Sequence, residues 1–214
     1  MSASKITRWA GLSAVVAGVL LVVTQIIHPE RDPSSVATSS WAIAHSLELG
    51  VGVFGLLGIS GLYARQVEEA GLLGLVGFLM FFVALAIFAN LAFFEAFILP
   101  LLATEAPQFT AGFLGLFAGG ALGALGPILL LAGLLYSLGG LLFGIAILRA
   151  GILPRWAAIV LIIGVVGALV GPLLGEVVGR ITVVTVGLGL AWLGYALWSE
   201  RREKASEPLP AMQS

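Results

Sequence analysis

Three ionisable residues lie inside otherwise apolar stretches of this sequence. His45 and Glu48 belong to the run WAIAHSLELGVG, and Glu95 belongs to the run FANLAFFEAFIL. Imidazole and carboxylate groups bind metal ions and transfer protons in catalysis. Ionisable residues are rare in membrane-spanning segments, where they mark binding, proton-transfer or catalytic sites. We therefore take His45, Glu48 and Glu95 as the candidate catalytic and ligand-binding residues.

His28, which precedes Pro29 at the end of the first apolar run, is a fourth candidate metal ligand. Together with His45, Glu48 and Glu95 it offers the nitrogen and oxygen ligands that suit zinc or non-haem iron. His28 and His45 also lie at the same ends of neighbouring apolar runs, where two imidazoles could hold a b-type haem. A metal ion and haem b both stay open as cofactors.

Two further uses of these residues need no cofactor. Glu95 has Phe88, Phe93, Phe94 and Phe97 around it in the sequence, and a protonated acid beside aromatic faces could perform acid/base chemistry on a lipid or isoprenoid. The second use is structural: the polar side chains form hydrogen bonds with one another and hold the helices together. The protein is then a scaffold or an accessory subunit that joins a membrane-protein partner. Coupled transport has the least support, because the inner halves of the apolar runs carry no charge.

The composition excludes a soluble globule. Of the 214 residues, 60% are hydrophobic and 10% are charged, and the mean hydropathy is +1.13, whereas soluble domains carry about 25% charged residues. The absence of cysteine excludes disulfides, thiolate metal sites and iron–sulfur clusters. No phosphate-binding glycine motif, G-x-S-x-G elbow or nucleic-acid-binding surface is present. The expected partners are membrane lipids and a lipid-like ligand.

Six apolar runs are long enough to cross a bilayer, which takes about 20 residues as a helix. They predict an all-α, polytopic transmembrane helical bundle with spans at 9–27, 41–63, 72–99, 125–148, 156–173 and 181–198. Residues 1–198 then form a single domain, and residues 199–214 form a polar tail that we expect to be disordered in the cytoplasm. The 29 glycines indicate close helix packing, because a residue without a side chain lets two backbones approach.

The basic residues divide unevenly between the two sides of such a bundle. Only Arg31 and Arg180 fall on one side, and eight fall on the side of both termini: Lys5, Arg8, Arg65, Arg149, Arg155, Arg201, Arg202 and Lys204. The positive-inside rule therefore places both termini in the cytoplasm. We expect a multi-pass protein of a bacterial cytoplasmic (inner) membrane, with its His/Glu residues near the outer side.

The outer loop after the first span contains helix-start signals. Asp32 and Pro33 suit the N-cap and first position of a helix, and Ser39 or Ser40 suits the cap of the second span. Trp41 is expected to anchor that span at the membrane interface. On the same side, Glu176 and Arg180 are spaced for an i,i+4 ion pair.

One stretch does not fit the spacing of simple spans. Residues 106–148 carry no charge, and they are too long for one span and too short for two. We expect residues 109–122 to dip into the membrane or lie at its interface, before a break near Pro127 and the fourth span. Such a segment lids the outer face of the bundle.

The polar residues of the second span share one helix face. At 100° per residue, Trp41, His45, Glu48, Gly52 and Gly55 fall within an arc of about 80°. The glycines let a neighbouring helix come close, so this face is expected to point into the bundle. At about 1.5 Å of rise per residue, His45, Glu48 and Glu95 lie at similar depths below the outer ends of their helices.

Two pieces of the chain resemble a known group of proteins. The first is the His28-Pro29 end of the first span, followed by a polar loop and the start Trp41-Ala42-Ile43-Ala44-His45. The second is the inner loop with Pro154, Arg155 and Trp156. Both are similar to small multipass membrane proteins of bacteria that are grouped as domains of unknown function. The resemblance implies an all-helical membrane protein and implies no activity or site residue.

The sequence thus predicts an integral membrane protein with an outward-facing His/Glu pocket. The pocket is expected to bind a small or amphipathic ligand or a cofactor. An intramembrane acid/base enzyme and an accessory subunit remain the alternatives, and the sequence does not decide whether catalysis occurs.

Overall fold

The computed structural model describes residues 3–116, 120 and 122–206, and this part of the chain is helical without any strand, as predicted. Its elements are α1 (Ala3–Ile27), α2 (Pro33–Val36), α3 (Ser39–Arg65), α4 (Val67–Phe93), a π-helical turn (Phe94–Ile98), α5 (Leu99–Glu105), α6 (Pro107–Gly115), α7 (Leu125–Ala150), α8 (Arg155–Val170), a 3₁₀ turn (Gly171–Leu174) and α9 (Glu176–Ser206). The last helix runs to Ser206, and residues 207–214 lie outside the described part, so the disorder expected for the tail stays a prediction.

Within the described residues, five stretches are long and apolar enough to cross a membrane: Lys5–Ile27, Ser39–Arg65, Val67–Glu105, Leu125–Ala150 and Glu176–Ser199. Many large apolar side chains on these helices are exposed, as contact with lipid requires. The chain is thus a multi-pass membrane protein. The remaining predicted span, 156–173, corresponds to α8, which is apolar but only 16 residues long.

Six helices form a closed ring. α1, α3, α4, α7, α8 and α9 each pack on the next, and α9 returns to α1. Neighbouring helices are antiparallel: Gly11 of α1 lies against Gly194 of α9, whereas the later Gly18 lies against the earlier Gly187. The contacts of the other helix pairs have the same sense, so α8 is antiparallel to both α7 and α9.

The centre of the ring is filled at one end and hollow at the other. Ile59, Leu62, Phe143 and Ile147 are fully buried in one core cluster. The other end, named the histidine end because it carries His28, contains a cavity of about 480 Å³. The hollow therefore extends from one end only partway through the bundle.

A small cap covers the histidine end. It consists of α2, α5 and α6, which contact one another, and it has its own buried core around Val36, Leu99 and Phe113. The described part of the predicted lid at 109–122 belongs to this cap, while residues 117–119 and 121 lie outside the described residues. Trp41 of α3 belongs to the same core, so the cap is attached to the helix that carries His45.

The close approach of α1 and α9 depends on Gly18. A Cβ atom there would lie 2.3 Å from the Gly187 oxygen and 2.7 Å from the Ala191 nitrogen, and both are backbone atoms that move only with the helix. We expect Gly18→Ala to lower the free energy of unfolding by about 1–3 kcal/mol, measured by denaturant titration in detergent. Gly133→Ala in α7 is the matched control, because nothing lies within 4 Å of its Cβ position. Equal losses in the two variants would contradict the packing described here.

Candidate metal centre

The structure brings all four candidate residues together at the histidine end, just below the cap. His28 Nε2 lies 3.7 Å from Glu48 Oε1, and His45 Nε2 lies 3.9 Å from Glu48 Oε2 and 3.6 Å from Glu95 Oε1. His28 follows α1, His45 and Glu48 belong to α3, and Glu95 belongs to the π-helical turn. Three separate segments of the chain therefore supply the cluster.

The His45 ring is held in one orientation and one tautomer. Its Nδ1 lies 2.9 Å from the Trp41 carbonyl oxygen, and because a carbonyl only accepts hydrogen bonds, Nδ1 carries the proton and donates it. In the neutral ring Nε2 then carries a lone pair. This atom points into the cluster, is buried and has no hydrogen-bond partner among the described residues.

His28 repeats this arrangement from the opposite side. Its Nδ1 donates to the Pro29 carbonyl oxygen at 2.7 Å, and its Nε2 is buried and finds no hydrogen-bond partner in the part of the chain that is described. Burial and the nearby Arg31 guanidinium lower the pKa of His28 to about 4. Its imidazole is thus neutral near pH 7, with the lone pair of Nε2 directed at Glu48.

Hydrogen-bond acceptors lie next to one another around Glu48, and the described residues place no hydrogen-bond donor on either histidine Nε2 atom. The two Nε2 lone pairs face the Glu48 carboxylate, for which the described residues show no hydrogen bond. One atom each from His28, His45 and Glu48 that could bind a metal ion lies within 4.8 Å of the other two. Buried polar atoms are normally paired, and acceptors that face each other repel. A cation or an additional proton between them removes this repulsion.

Glu95 has a partner that the sequence analysis did not assign. Arg31 Nη1 donates to Glu95 Oε1 at 2.7 Å, and only 2% of the Glu95 side chain is exposed. In the sequence, Arg31 contributes only to the distribution of positive charge that sets the topology. It nevertheless lies three residues after His28 and is the single basic residue of that loop. Arg180 instead forms the predicted pair with Glu176, at 2.7 Å.

Three of the four phenylalanines expected around Glu95 face away from its carboxylate. Phe93 and Phe97 are about half exposed on the outside of the helix, and Phe94 packs on Phe113 of the cap. Phe88 contacts Tyr136 of α7. The Glu95 carboxylate faces Arg31 and His45, so the helix turns its acid inward and Phe93 and Phe97 outward, while Phe88 lines the same cavity as Glu95.

The π-helical turn explains how Glu95 is held. In an α-helix the Glu95 carbonyl would accept from the Leu99 N–H, but that N–H bonds to the Phe94 carbonyl instead. The next residue, Pro100, has no N–H to offer, so the Glu95 carbonyl is left without a helical partner. Trp41 Nε1 donates to this oxygen at 2.8 Å, which connects α3 to the turn next to the cluster.

Trp41 is not the interfacial anchor that the sequence predicted. Its side chain is fully buried, and its ring stacks on His45 with 4.2 Å between centroids. The start of α3 is fixed by Thr38, whose hydroxyl accepts from the Trp41 N–H, and not by Ser39 or Ser40. Helix geometry then carries His45 one turn further, onto the same face as Trp41.

The segment before α3 is fixed by the predicted cap of α2. Asp32 accepts hydrogen bonds from the backbone N–H groups of Ser34 and Ser35, and Pro33 occupies the first helical position. Hydrogen bonds from Ser34 and Ser35 lower the pKa of Asp32. The cap thus orders the chain immediately after Arg31.

The cluster forms one wall of the cavity at the histidine end. Arg31, Glu48 and Glu95 line this cavity together with many apolar side chains from the ring. His28 and His45 lie behind Glu48 and do not line it. A group bound between the imidazoles and Glu48 would thus adjoin a largely apolar chamber.

The geometry does not fit a haem held by His28 and His45. Axial imidazoles lie on opposite faces of a porphyrin, but these two ring centroids are 5.0 Å apart and the ring planes make an angle of 66°. The Glu48 carboxylate lies at both Nε2 atoms, and Trp41 covers His45. The described residues leave no slot for a macrocycle, so a single ion fits the site better.

The hydrogen bond between Trp41 and Glu95 can be tested by a double-mutant cycle. Trp41→Phe leaves the Glu95 carbonyl without a donor in a buried place, which should lower the free energy of unfolding by about 1–3 kcal/mol. In a Pro100→Ala background the turn can return to α-helical bonding, so the same exchange should have a smaller effect. Denaturant titrations of the four proteins measure this coupling, and additive effects would contradict the proposed role of Pro100.

Comparison with known proteins gives no family. No protein-family model matches the chain, and no curated protein or solved structure shows a significant match. A function for this chain therefore has to be derived from the chemistry of its site.

Proposed function

We propose that this membrane protein holds a divalent transition-metal ion between His28, His45 and Glu48, and that the ion serves a small or amphipathic ligand in the adjoining cavity. The proposal depends on one observation: two buried imidazole Nε2 atoms point at one carboxylate and have no hydrogen-bond partner among the residues that the structure describes. Glu95, paired with Arg31, lies beside them.

The residue types favour zinc or ferrous iron. Two imidazoles and one carboxylate are the ligands of catalytic zinc sites and of non-haem iron sites. Ligands at about 2.1 Å from one ion lie roughly 3–4 Å apart. The two Nε2 atoms lie 3.7 and 3.9 Å from different oxygens of Glu48, and one ligand atom from each of the three residues lies within 4.8 Å of the others, so a small inward shift of the side chains would bring them onto one ion. The two backbone carbonyls that hold the Nδ1 protons act as the outer shell that usually orients metal-binding histidines.

A purely structural role explains these contacts less well. Residues that lock helices together do so by forming hydrogen bonds, as Arg31 does with Glu95 and Trp41 with the Glu95 carbonyl. The two Nε2 atoms form no hydrogen bond within the described part of the chain. Without an ion, the cluster brings acceptors together at a cost in stability.

A metal-dependent enzyme acting on a lipid-like molecule is a second candidate. Zinc or iron with three protein ligands keeps coordination positions for water or substrate. The observation that favours catalysis is that Glu48 belongs both to the cluster and to the cavity wall. Both functions require that the protein binds a metal ion, so metal binding is tested first.

Glu48→Gln separates the metal site from a structural cluster. Gln has the same shape but donates hydrogen bonds through its amide, so it can satisfy an Nε2 atom while it removes a charged ligand. We expect the affinity for Zn²⁺, measured by calorimetry on metal-free protein, to fall by at least about 100-fold. The stability of the metal-free protein should stay equal or rise.

Glu176→Gln is the matched control, because Glu176 is an exposed glutamate at the same end of the bundle. It should leave zinc affinity unchanged. Zinc at 100 times its dissociation constant should stabilise the unmodified protein by about 2.7 kcal/mol. If no stoichiometric ion binds, or if Glu48→Gln only destabilises the fold, the metal site is rejected and the scaffold explanation gains.

The same proposal includes six spans with both termini in the cytoplasm. Supporting it, α8 lies between α7 and α9 and is antiparallel to both, so it returns the chain from one end of the ring to the other. The 3₁₀ turn Gly171–Leu174 extends α8 by a further turn. The distribution of Lys and Arg supports the orientation.

Single cysteines can test this topology, because the chain has none of its own. We expect Ser34→Cys and Glu176→Cys to react with an impermeant maleimide added to intact cells. Glu68→Cys and Arg155→Cys should react only after the membrane is permeabilised. Labelling of Glu176→Cys and Arg155→Cys from the same side would show that α8 does not cross the membrane.

A further inference from the structure

We infer that the cavity binds a single-chain fatty carboxylate, with its hydrocarbon chain inside the ring and its carboxylate at the metal ion. This inference rests on the proposed metal site and names the ligand of that site. It follows from the volume of the cavity, from the distribution of its polar and apolar walls, and from the charge of the cluster.

The volume fits one chain. An apolar cavity of about 150 Å³ holds one benzene, which is about 25 Å³ per non-hydrogen atom. At this ratio the 480 Å³ cavity holds about 19 non-hydrogen atoms. A carboxylate with 16 carbon atoms has about this size, whereas a two-chain phospholipid is more than twice as large.

The cavity walls are amphipathic in the same way as such a molecule. Arg31, Glu48 and Glu95 form the polar end beside the cluster. Phe81, Leu85, Leu134, Val186 and Leu190 are among the apolar residues along the rest of the wall. A chain with its head at the cluster therefore places its methylene groups against hydrocarbon.

Part of the wall is open to the hydrocarbon surroundings of the protein. Leu130 and Leu134 of α7 and Leu169 of α8 line the cavity, yet they remain 67%, 40% and 46% exposed. All three lie in the halves of α7 and α8 nearest the histidine end. A ligand that is dissolved in the membrane can thus reach the cavity between these two helices.

The charge of the cluster selects the head group. The ion and the Arg31 guanidinium would both place positive charge at the polar end of the cavity, where Glu48 and Glu95 also lie. A ligand head group that enters a largely buried place has to match this positive charge. A single carboxylate compensates it, whereas an alcohol does not.

The test measures palmitate binding in lipid nanodiscs by equilibrium dialysis, with and without Zn²⁺. We expect zinc to raise palmitate affinity at least 10-fold, and hexadecanol to bind at least 10-fold more weakly than palmitate. Affinity should decrease for chains longer than about 20 carbons because the cavity has a limited volume. Equal palmitate affinity in the presence and absence of zinc would overturn the inference.

Gly133 allows the cavity to be filled selectively. It lines the cavity, and nothing lies within 4 Å of its Cβ position, so Gly133→Phe should occupy the space without displacing a helix. We expect it to lower palmitate affinity at least 10-fold and to leave zinc affinity unchanged. Leu131→Phe is the matched control, because Leu131 is exposed and does not line the cavity.

The outcomes distinguish this inference from the proposed function. Zinc binding without zinc-dependent palmitate binding rejects the fatty carboxylate and keeps the metal site. Palmitate binding that persists in Gly133→Phe also rejects the inference, because the chain is then elsewhere. If zinc does not bind at all, the proposed function fails, and the inference fails with it.

Discussion

The close packing of α3 between α1 and α4 is the constraint on which the site depends. Gly58 of α3 lies against Ala14 of α1, and Gly52 lies against Ala89 of α4, so near that a Cβ atom on either glycine would overlap its neighbour. In a membrane no hydrophobic force draws helices together, and small residues allow the contacts that do. A wider separation of these helices would move His28 and Glu95 away from His45 and Glu48. The positions of the cluster residues therefore depend on glycines that do not belong to the cluster.

Hydrogen bonds then determine which atoms of the two histidines and the two glutamates are available to a ligand. Both histidines use Nδ1 on a backbone carbonyl of their own segment, so both present the same unprotonated nitrogen to the interior. Arg31 occupies one oxygen of Glu95, which leaves Glu48 as the carboxylate between the imidazoles. A site made only for stability would pair these groups with donors. This one keeps lone pairs free, which is the condition that a metal ligand has to meet before binding.

The sequence predicts the architecture well and the details of the site less well. Hydropathy and helix periodicity are local properties, so the helical class, the inward face of α3 and the proximity of His45, Glu48 and Glu95 can be derived from them. Arg31 and Trp41 could not be assigned, because their partners are 64 and 54 residues away along the chain. Pro100 is the residue in the sequence that could have indicated the contact between Trp41 and the Glu95 carbonyl. A proline five residues after Glu95 removes the N–H that a π-helical turn needs, and it thereby predicts a carbonyl that requires an outside donor.

The shape of the hollow bears on which kinds of function this fold can perform. A transporter has to offer its site alternately to both sides of the membrane, yet beyond Phe81 and Leu190 the ring centre contains a buried core that includes Leu62, Phe143 and Leu193. Opening that half would expose a close-packed interior in which the antiparallel neighbours touch backbone to backbone at glycines such as Gly11 and Gly194. The histidine end, in contrast, is covered within the described residues by the short helices of the cap, and Leu130, Leu134 and Leu169 in its wall are partly exposed. A chamber with one polar end, one closed end and access from the lipid suits a protein that binds or modifies a membrane-dissolved molecule rather than one that moves it across.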